Sequence, residues 1–169
     1  MATSKITPTD PGLPTPPPAY DVAAPADLLA LVERLARDYI TGPGIRPGEI
    51  TANHPAVAAI GAELDRVMPH QSVELDFAYH HFFRGIWHIG LEREQGEDAQ
   101  HVAVNFVDSY FENRAMTEPA VSAAECAMRI HHAKRMVLDG TFYGDASDVI
   151  GFLDTVEADF GRILREAGR

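Results

Sequence analysis

Histidine and carboxylate side chains recur at helical spacing in one aromatic-rich segment of the chain, residues 72–94. At about 100° per residue, four of its polar residues fall on one narrow stripe of a helix: Glu74, His81, His88 and Glu92. His88 and Glu92 are one helical turn apart, so their side chains could share a metal ion. The stripe is therefore a candidate site for metal chemistry.

Two later segments add candidate ligands. Glu97 and His101 repeat the four-residue spacing, and His132 lies further along the chain. Helical bundles build di-iron and related sites from inward-facing histidines and carboxylates. The pattern predicts a transition-metal or haem site, and with it an oxidoreductase function, formed by six residues: His81, His88, Glu92, Glu97, His101 and His132. The competing interpretation is a solvated helix face, because such His–acid pairs are only slightly more frequent than composition alone gives and no Glu-x-x-His motif occurs.

A second hypothesis concerns the same helix. The pentapeptide His81-Phe82-Phe83-Arg84-Gly85 resembles the core of histidine phosphotransfer domains, in which His-x-aliphatic-Lys-Gly lies on a four-helix bundle. The resemblance covers these five residues and the helical body. It implies that His81 is the phosphoacceptor, that Arg84 helps to hold the phosphoryl group, and that Gly85 leaves room for a receiver domain. Phenylalanine stands at the aliphatic position, and two bulky residues follow the glycine.

Two other features could carry chemistry. The single cysteine, Cys126, has alanine neighbours and no catalytic signature around it, which predicts a small buried hydrophobe. Arg129, His132 and Arg135 lie on one side of a predicted helix. These three side chains could face an anion or pair with the acids of the aromatic-rich helix, and structural ion pairing is the commoner outcome.

Helical periodicity and helix-boundary residues organise the whole body of the chain. Proline at the first helical position predicts starts at Pro25 and Pro55, and Ser72 is a predicted cap for the third helix, which runs to about Glu94. A fourth helix follows Gly96. The predicted fifth begins at Thr117-Glu118-Pro119 and ends near Gly140, with an inward stripe of Ala123, Ala127, Ile130 and Val137. The sixth has five predicted inward residues: Val149, Phe152, Val156, Phe160 and Ile163. No sustained period-two alternation occurs, so the fold class is all-α, an antiparallel bundle of five to six helices.

Proline distribution divides the chain into two parts. Seven of the 12 prolines fall in the first 25 residues, which predicts a flexible or extended arm over residues 1–24 and one helical-bundle domain over 25–169. An arm of this kind binds by ordering on a partner. Together with the absence of a recognised catalytic motif, it favours an accessory or interaction subunit, either a homo-oligomer or part of a larger complex. Metal or haem binding is the alternative, and phosphotransfer the second alternative.

Charge and composition exclude several classes of partner. The formal net charge is −11, from 25 acidic against 14 basic residues, with no cluster of Lys and Arg. Nucleic acid is therefore not an expected ligand, because phosphate binding needs such clusters. No run of about 18 apolar residues occurs, so no membrane span is expected. One cysteine and a proline-rich start without an apolar core indicate a reducing, cytoplasmic location.

Overall fold

A computed structural model describes residues 23–41, 46–51, 53–92, 98–138 and 146–168. Within these ranges the chain is all-α, as predicted, and no β-strand occurs. The six α-helices are α1 (Pro25–Leu35), α2 (Pro55–Val67), α3 (Val73–Glu92), α4 (Ala99–Thr117), α5 (Ala123–Leu138) and α6 (Ala146–Ala167). The predicted arm lies outside the described residues, apart from its last two positions.

Several predicted helix boundaries are confirmed by their capping contacts. Pro25 and Pro55 occupy the first positions of α1 and α2. His54 caps α2, since its Nδ1 accepts a hydrogen bond from the Ala56 amide at 3.1 Å. Ser72 caps α3, where its Oγ accepts from the Leu75 amide at 3.0 Å. These contacts satisfy amide groups that the first turn of a helix leaves unpaired.

Helices α3 and α4 form the most extensive helix pair and carry the main core. Their inner faces pack with α1, its π-helical extension over Ala36–Ile40, and α2. The fully buried side chains at the centre of this cluster include Val32, Leu35, Ile40, Leu64, Phe83, Val107 and Phe111. The α3–α4 pair therefore packs against α1 and α2 on one side. The candidate site lies on the other side of α3.

A second, smaller core joins the start of α3 and the end of α4 to α5 and α6. It contains Val73, Phe77, Ala115, Ala120, Cys126 and Val156. The buried Cys126 and the inward Val156 are as predicted, and three of the other predicted α6 residues, Phe152, Phe160 and Ile163, pack against this cluster.

The fifth helix departs from the sequence prediction in two respects. Thr117 belongs to the end of α4, and α5 begins only at Ala123, where Ser122 Oγ accepts from the Glu125 amide. The four residues predicted to face inward, Ala123, Ala127, Ile130 and Val137, are all exposed. The inward positions are instead Cys126, Arg129 and Ala133, because a buried ion pair of Arg129 determines the rotation of the helix.

Two buried arginines lock the helices together. Arg114 on α4 contacts the fully buried Asp76 on α3 at 2.6 Å and donates to the Met68 carbonyl at 2.7 Å. Arg129 on α5 contacts Asp159 on α6 at 2.9 Å and donates to the Ala115 carbonyl. Buried charges of this kind are tolerated only when they are paired. In the described part of the chain, no helix is both long enough and apolar enough to cross a membrane.

Candidate functional site

An open groove of about 1210 Å³ runs between α3, α4 and α5. Each helix contributes side chains three, four or seven positions apart, which is how one face of a helix lines a surface. The lining residues are Glu74, Phe77, Ala78, His80, His81, Arg84, Trp87 and His88 from α3, Asn105, Ser109 and Glu112 from α4, and Ala124, Ala127, Met128, His131, His132, Arg135 and Met136 from α5. Five of the eight histidines in the chain therefore face one cavity.

Three of these residues form a compact cluster, which we call the His80–Glu112–His132 triad. Each residue offers one ligand atom, and the three atoms lie within 4.8 Å of one another. Glu112 Oε1 is 2.8 Å from His132 Nε2 and 4.0 Å from His80 Nε2. Each helix of the groove contributes one member. Two imidazoles and one carboxylate are a donor set that both Zn²⁺ and Fe²⁺ accept.

A buried carboxylate stands behind the triad. Asp108 is fully buried, and its Oδ1 lies 2.8 Å from Nδ1 of His80, which is itself only 3% exposed. The other oxygen of Asp108 lies 2.8 Å from Nε of Arg84. These are ion-pair distances, yet the N–H directions fall outside hydrogen-bond geometry, so Oδ1, Oδ2 and His80 Nδ1 have no hydrogen-bond partner among the described residues. With Nδ1 of His80 beside Asp108, Nε2 of the same ring faces Glu112.

Glu112 is ionised at neutral pH. Burial by itself raises the pKa of this carboxyl, but the hydrogen bond from His132 and the charges of His80, His132 and Arg84 outweigh it, so its pKa lies below the usual value. An ionised carboxylate accepts hydrogen bonds only. His132 therefore carries its proton on Nε2, and this is the nitrogen that also points at the triad.

His81 lies beside the triad without belonging to it. Its ring centroid is 5.0 Å from that of His80 and 6.4 Å from that of His132. Burial lowers the pKa of His81, and the positive charges of His80, His132 and Arg135 lower it further. The side chain is nevertheless exposed at mid-helix, as the phosphotransfer hypothesis requires. In contrast, Arg84 contacts Asp108 and Glu112 and places its guanidinium 5.5 Å from the Trp87 ring centre, so it does not stand free beside His81.

The predicted metal ligands are divided by the fold. His81, His88 and His132 line the groove, and so does Glu74 of the original stripe. His101 lies elsewhere: it is buried, its ring stacks on Trp87 at 5.9 Å, and it occupies the space that a side chain at Gly90 would need. The side chain of Glu92 and the whole of Glu97 are outside the described residues. The six-residue ligand set as a whole therefore stays a prediction.

Sequence reasoning missed three of the central residues, His80, Asp108 and Glu112. Asp108 and Glu112 are an acid pair one turn apart on α4, and Asp108 follows the apolar Phe106-Val107. An acid inside an otherwise apolar run signals either a buried charge or a site. The sequence pattern favours His81, because His81 and His88 are seven residues apart and lie on the same face of the helix. His80 is one residue earlier and faces α4.

On the opposite side of α5, a shallow apolar furrow of about 250 Å³ lies against α6. Around it, several large apolar side chains are more than two-fifths exposed: Ile130, Val137, Leu138, Ile150 and Leu153. We call these five residues the α5–α6 apolar face. Isolated exposed apolar residues are ordinary, but a contiguous group is typical of a contact surface.

Comparison of the chain with protein-family models, with curated proteins and with solved structures finds no match.

Proposed function

We propose that this protein binds a divalent transition-metal ion at the His80–Glu112–His132 triad and presents it to a small molecule in the groove. The observation that carries the proposal is the convergence of three ligand atoms from three helices within 4.8 Å. Three protein ligands leave coordination positions on such an ion for water or substrate. The groove gives access to these positions.

The arrangement behind the triad supports the proposal. Histidines that bind metals through one ring nitrogen regularly present the other to a carboxylate, which orients the ring and raises its basicity. Asp108 occupies that place behind His80 at 2.8 Å.

The ion's identity separates two chemical classes. Zn²⁺ would supply Lewis-acid chemistry or activate a bound water, whereas Fe²⁺ would supply redox chemistry and with it the oxidoreductase activity expected from the sequence. Both ions accept the same three ligands. The sequence-derived alternative with haem has no comparable support from the groove, and the phosphotransfer hypothesis stays a prediction.

Titration with metal tests the proposal directly. The purified chain is stripped with EDTA, exchanged into buffer, and titrated with Zn²⁺ by calorimetry and with Co²⁺ by visible absorption. We expect one ion per chain. Glu112→Gln and His132→Gln should each weaken binding by at least about a hundredfold, because each removes one of three ligands. His88→Gln is the matched control, since His88 lines the same groove outside the triad.

Two results would overturn the proposal. The first is the absence of stoichiometric binding to the wild-type chain. The second is binding that Glu112→Gln leaves intact but His88→Gln removes, which would move the site to the stripe expected from the sequence. Metal analysis of the chain as purified, without added metal, then identifies the ion.

We propose self-association as a second function, because the α5–α6 apolar face supports the interaction role expected from the sequence. We take the partner to be a second copy of this chain. Two α5–α6 pairs packed face to face would close a four-helix bundle across a two-fold axis, and this buries the same residues on both copies. A larger hetero-complex and a cytosolic location stay predictions.

Light scattering on the full chain distinguishes these outcomes. We expect a dimer, and Leu138→Glu combined with Leu153→Glu should give a monomer of unchanged helicity, because like charges on both sides of the interface oppose its burial. Leu29→Lys, which places a charge on an exposed leucine of α1, is the control and should leave the dimer intact. A wild-type monomer over the accessible concentration range would contradict self-association.

A further inference from the structure

The groove is much larger than an ion requires. Its volume of about 1210 Å³ is that of a site for a small organic molecule. Aromatic and aliphatic side chains contribute much of the lining, including Phe77, Trp87, Ala124, Ala127 and Met128. A ligand that fills this space must therefore have an apolar body.

The groove lining lacks the acidic surplus of the whole protein. The chain has 25 acidic and 14 basic residues. The groove lining nevertheless contains two arginines and five histidines against two glutamates, Glu74 and Glu112. The charges of the arginines and glutamates balance, so a small anion meets less repulsion in the groove than over the rest of this acidic protein. One of the two glutamates, Glu112, is already engaged by His132 and His80.

The two arginines of the groove differ in their partners. Arg84 is held by Asp108 at 2.8 Å and by Glu112 at 3.5 Å. Arg135 lies one turn after His132 on α5, lines the same groove, and is exposed. No ion pair or hydrogen bond joins it to another residue in the described part of the chain. The guanidinium of Arg135 is therefore available to a ligand in the groove.

We propose that the groove binds a small organic carboxylate, with the carboxylate on the Arg135 guanidinium and the apolar body along the aromatic lining. A planar guanidinium matches one carboxylate through two parallel hydrogen bonds. A phosphate dianion fits less well, because Glu74 and Glu112 stand in the same cavity and the remaining arginine is already paired. This ligand class rests on the proposed function only in using the same groove, because the contact with Arg135 does not involve the metal ion.

Fluorescence reports ligand binding directly, because Trp87 is the single tryptophan of the chain and lines the groove. The full chain is titrated with hexanoate in EDTA, and its neutral analogue hexanamide and inorganic phosphate are titrated in parallel. We expect saturable quenching or a spectral shift with hexanoate, and binding of both other probes weaker by about tenfold or more, since charge-assisted hydrogen bonds are lost or mismatched.

Arg135→Gln should weaken hexanoate binding by about tenfold or more and leave hexanamide binding unchanged. Lys134→Gln is the matched control: it removes the same charge from the neighbouring residue, which lies at the furrow on the other side of α5. Circular dichroism checks the helicity of both variants. Four results would each overturn the inference. They are an unchanged hexanoate affinity in Arg135→Gln, equal affinity of the wild-type chain for hexanoate and hexanamide, tighter binding of phosphate than of hexanoate, and no hexanoate binding at all.

The metal proposal and the carboxylate inference fail separately. Hexanoate binding in EDTA depends on Arg135 and not on the ion, whereas metal binding is lost in Glu112→Gln. If metal binding is absent but Arg135 still governs hexanoate binding, the ligand class stands and the metal function falls. If metal binds and hexanoate does not, the reverse holds.

Discussion

Glu112 Oε1 on α4 lies 2.8 Å from Nε2 of His132 on α5, so the same pair of atoms that would bind a metal joins two helices in its absence. Glutamine at position 112 keeps an oxygen that accepts this hydrogen bond but loses the charge. We therefore expect the free energy of unfolding of Glu112→Gln in EDTA to stay within about 1 kcal/mol of wild type. Urea unfolding measures it.

The same variant should lose its response to metal. Zn²⁺ at about a hundredfold excess over its dissociation constant should stabilise the wild-type chain by about 2.7 kcal/mol, because the ion binds only the folded state. Glu112→Gln should show no comparable gain. An equal gain in both proteins would place the ion elsewhere on the chain.

Asp108→Asn tests the carboxylate behind the triad. The substitution keeps the shape of a fully buried side chain that contacts His80 and Arg84 at 2.8 Å. It removes the charge that orients His80, and we expect metal affinity to fall by about 10–100-fold while one ion per chain still binds. Calorimetric titration with Zn²⁺ measures the change. Asp65→Asn, an exposed acid on α2, is the control, and an unchanged affinity in Asp108→Asn would show that Asp108 has only a structural role.

The fold was largely predictable, because helical periodicity and capping residues are local signals. Pro25 and Pro55 begin helices, and Ser72 caps one, where the sequence places them. The start of the fifth helix was wrong because Thr117 and Pro119 carry the expected pattern of a helix start, while the chain uses Thr117 to finish α4. A cap residue shows that a boundary is near but does not tell which helix it belongs to.

The site was less predictable, because it depends on how far each helix is rotated about its axis. His80 and His81 are equally good candidates by spacing, and only the packing of α3 on α4 turns His80 toward Asp108. Likewise, the buried pair of Arg129 with Asp159 places Ile130 outside, where hydrophobicity alone predicts it inside. The rotation of each helix about its axis is determined by contacts between residues far apart in sequence.

The buried pair of Asp76 and Arg114 should be costly to break. Both side chains are almost fully buried and meet at 2.6 Å. Among the described residues, Arg114→Met leaves the buried carboxylate with one side-chain partner, His70 at 2.7 Å, and we expect a loss of about 3–5 kcal/mol of unfolding free energy. Urea unfolding measures the loss. Adding Asp76→Asn should recover part of it, and a double variant that is less stable by the full sum of the single effects would show that the two residues are not coupled.

Acid stability should depend on Glu63. Hydrogen bonds from Arg66 and Arg34 lower the pKa of this carboxyl to about 2, although burial opposes the shift. A carboxyl with a lowered folded-state pKa contributes stability above its unfolded pKa and loses it as the pH falls through the folded value. The difference in stability between wild type and Glu63→Gln should therefore be constant near neutral pH and shrink between about pH 4.5 and 2. Unfolding curves over this range measure it, and a difference that grew on acidification would contradict the assignment. About 1 M salt should reduce the effect at every pH, because the arginines are partly exposed.

Two glycines of α3 should respond to alanine with opposite sign. Nothing lies within 4 Å of a Cβ placed on Gly85, which faces open space. Gly85→Ala should therefore stabilise the chain by about 0.5–1 kcal/mol, the gain in helix propensity.

A Cβ on Gly90 would overlap Nδ1 of His101, and this ring is buried against Trp87. Gly90→Ala gains the same propensity but must displace the ring, and forcing extra atoms into a packed site costs about 1–3 kcal/mol. We expect a net loss of stability, measured by thermal unfolding, together with a change in Trp87 emission that Gly85→Ala does not produce. If His101→Ala makes Gly90→Ala stabilising, the steric cause is established, because the smaller side chain leaves room for the added methyl group. Equal effects at the two glycines would show instead that the His101 ring moves freely.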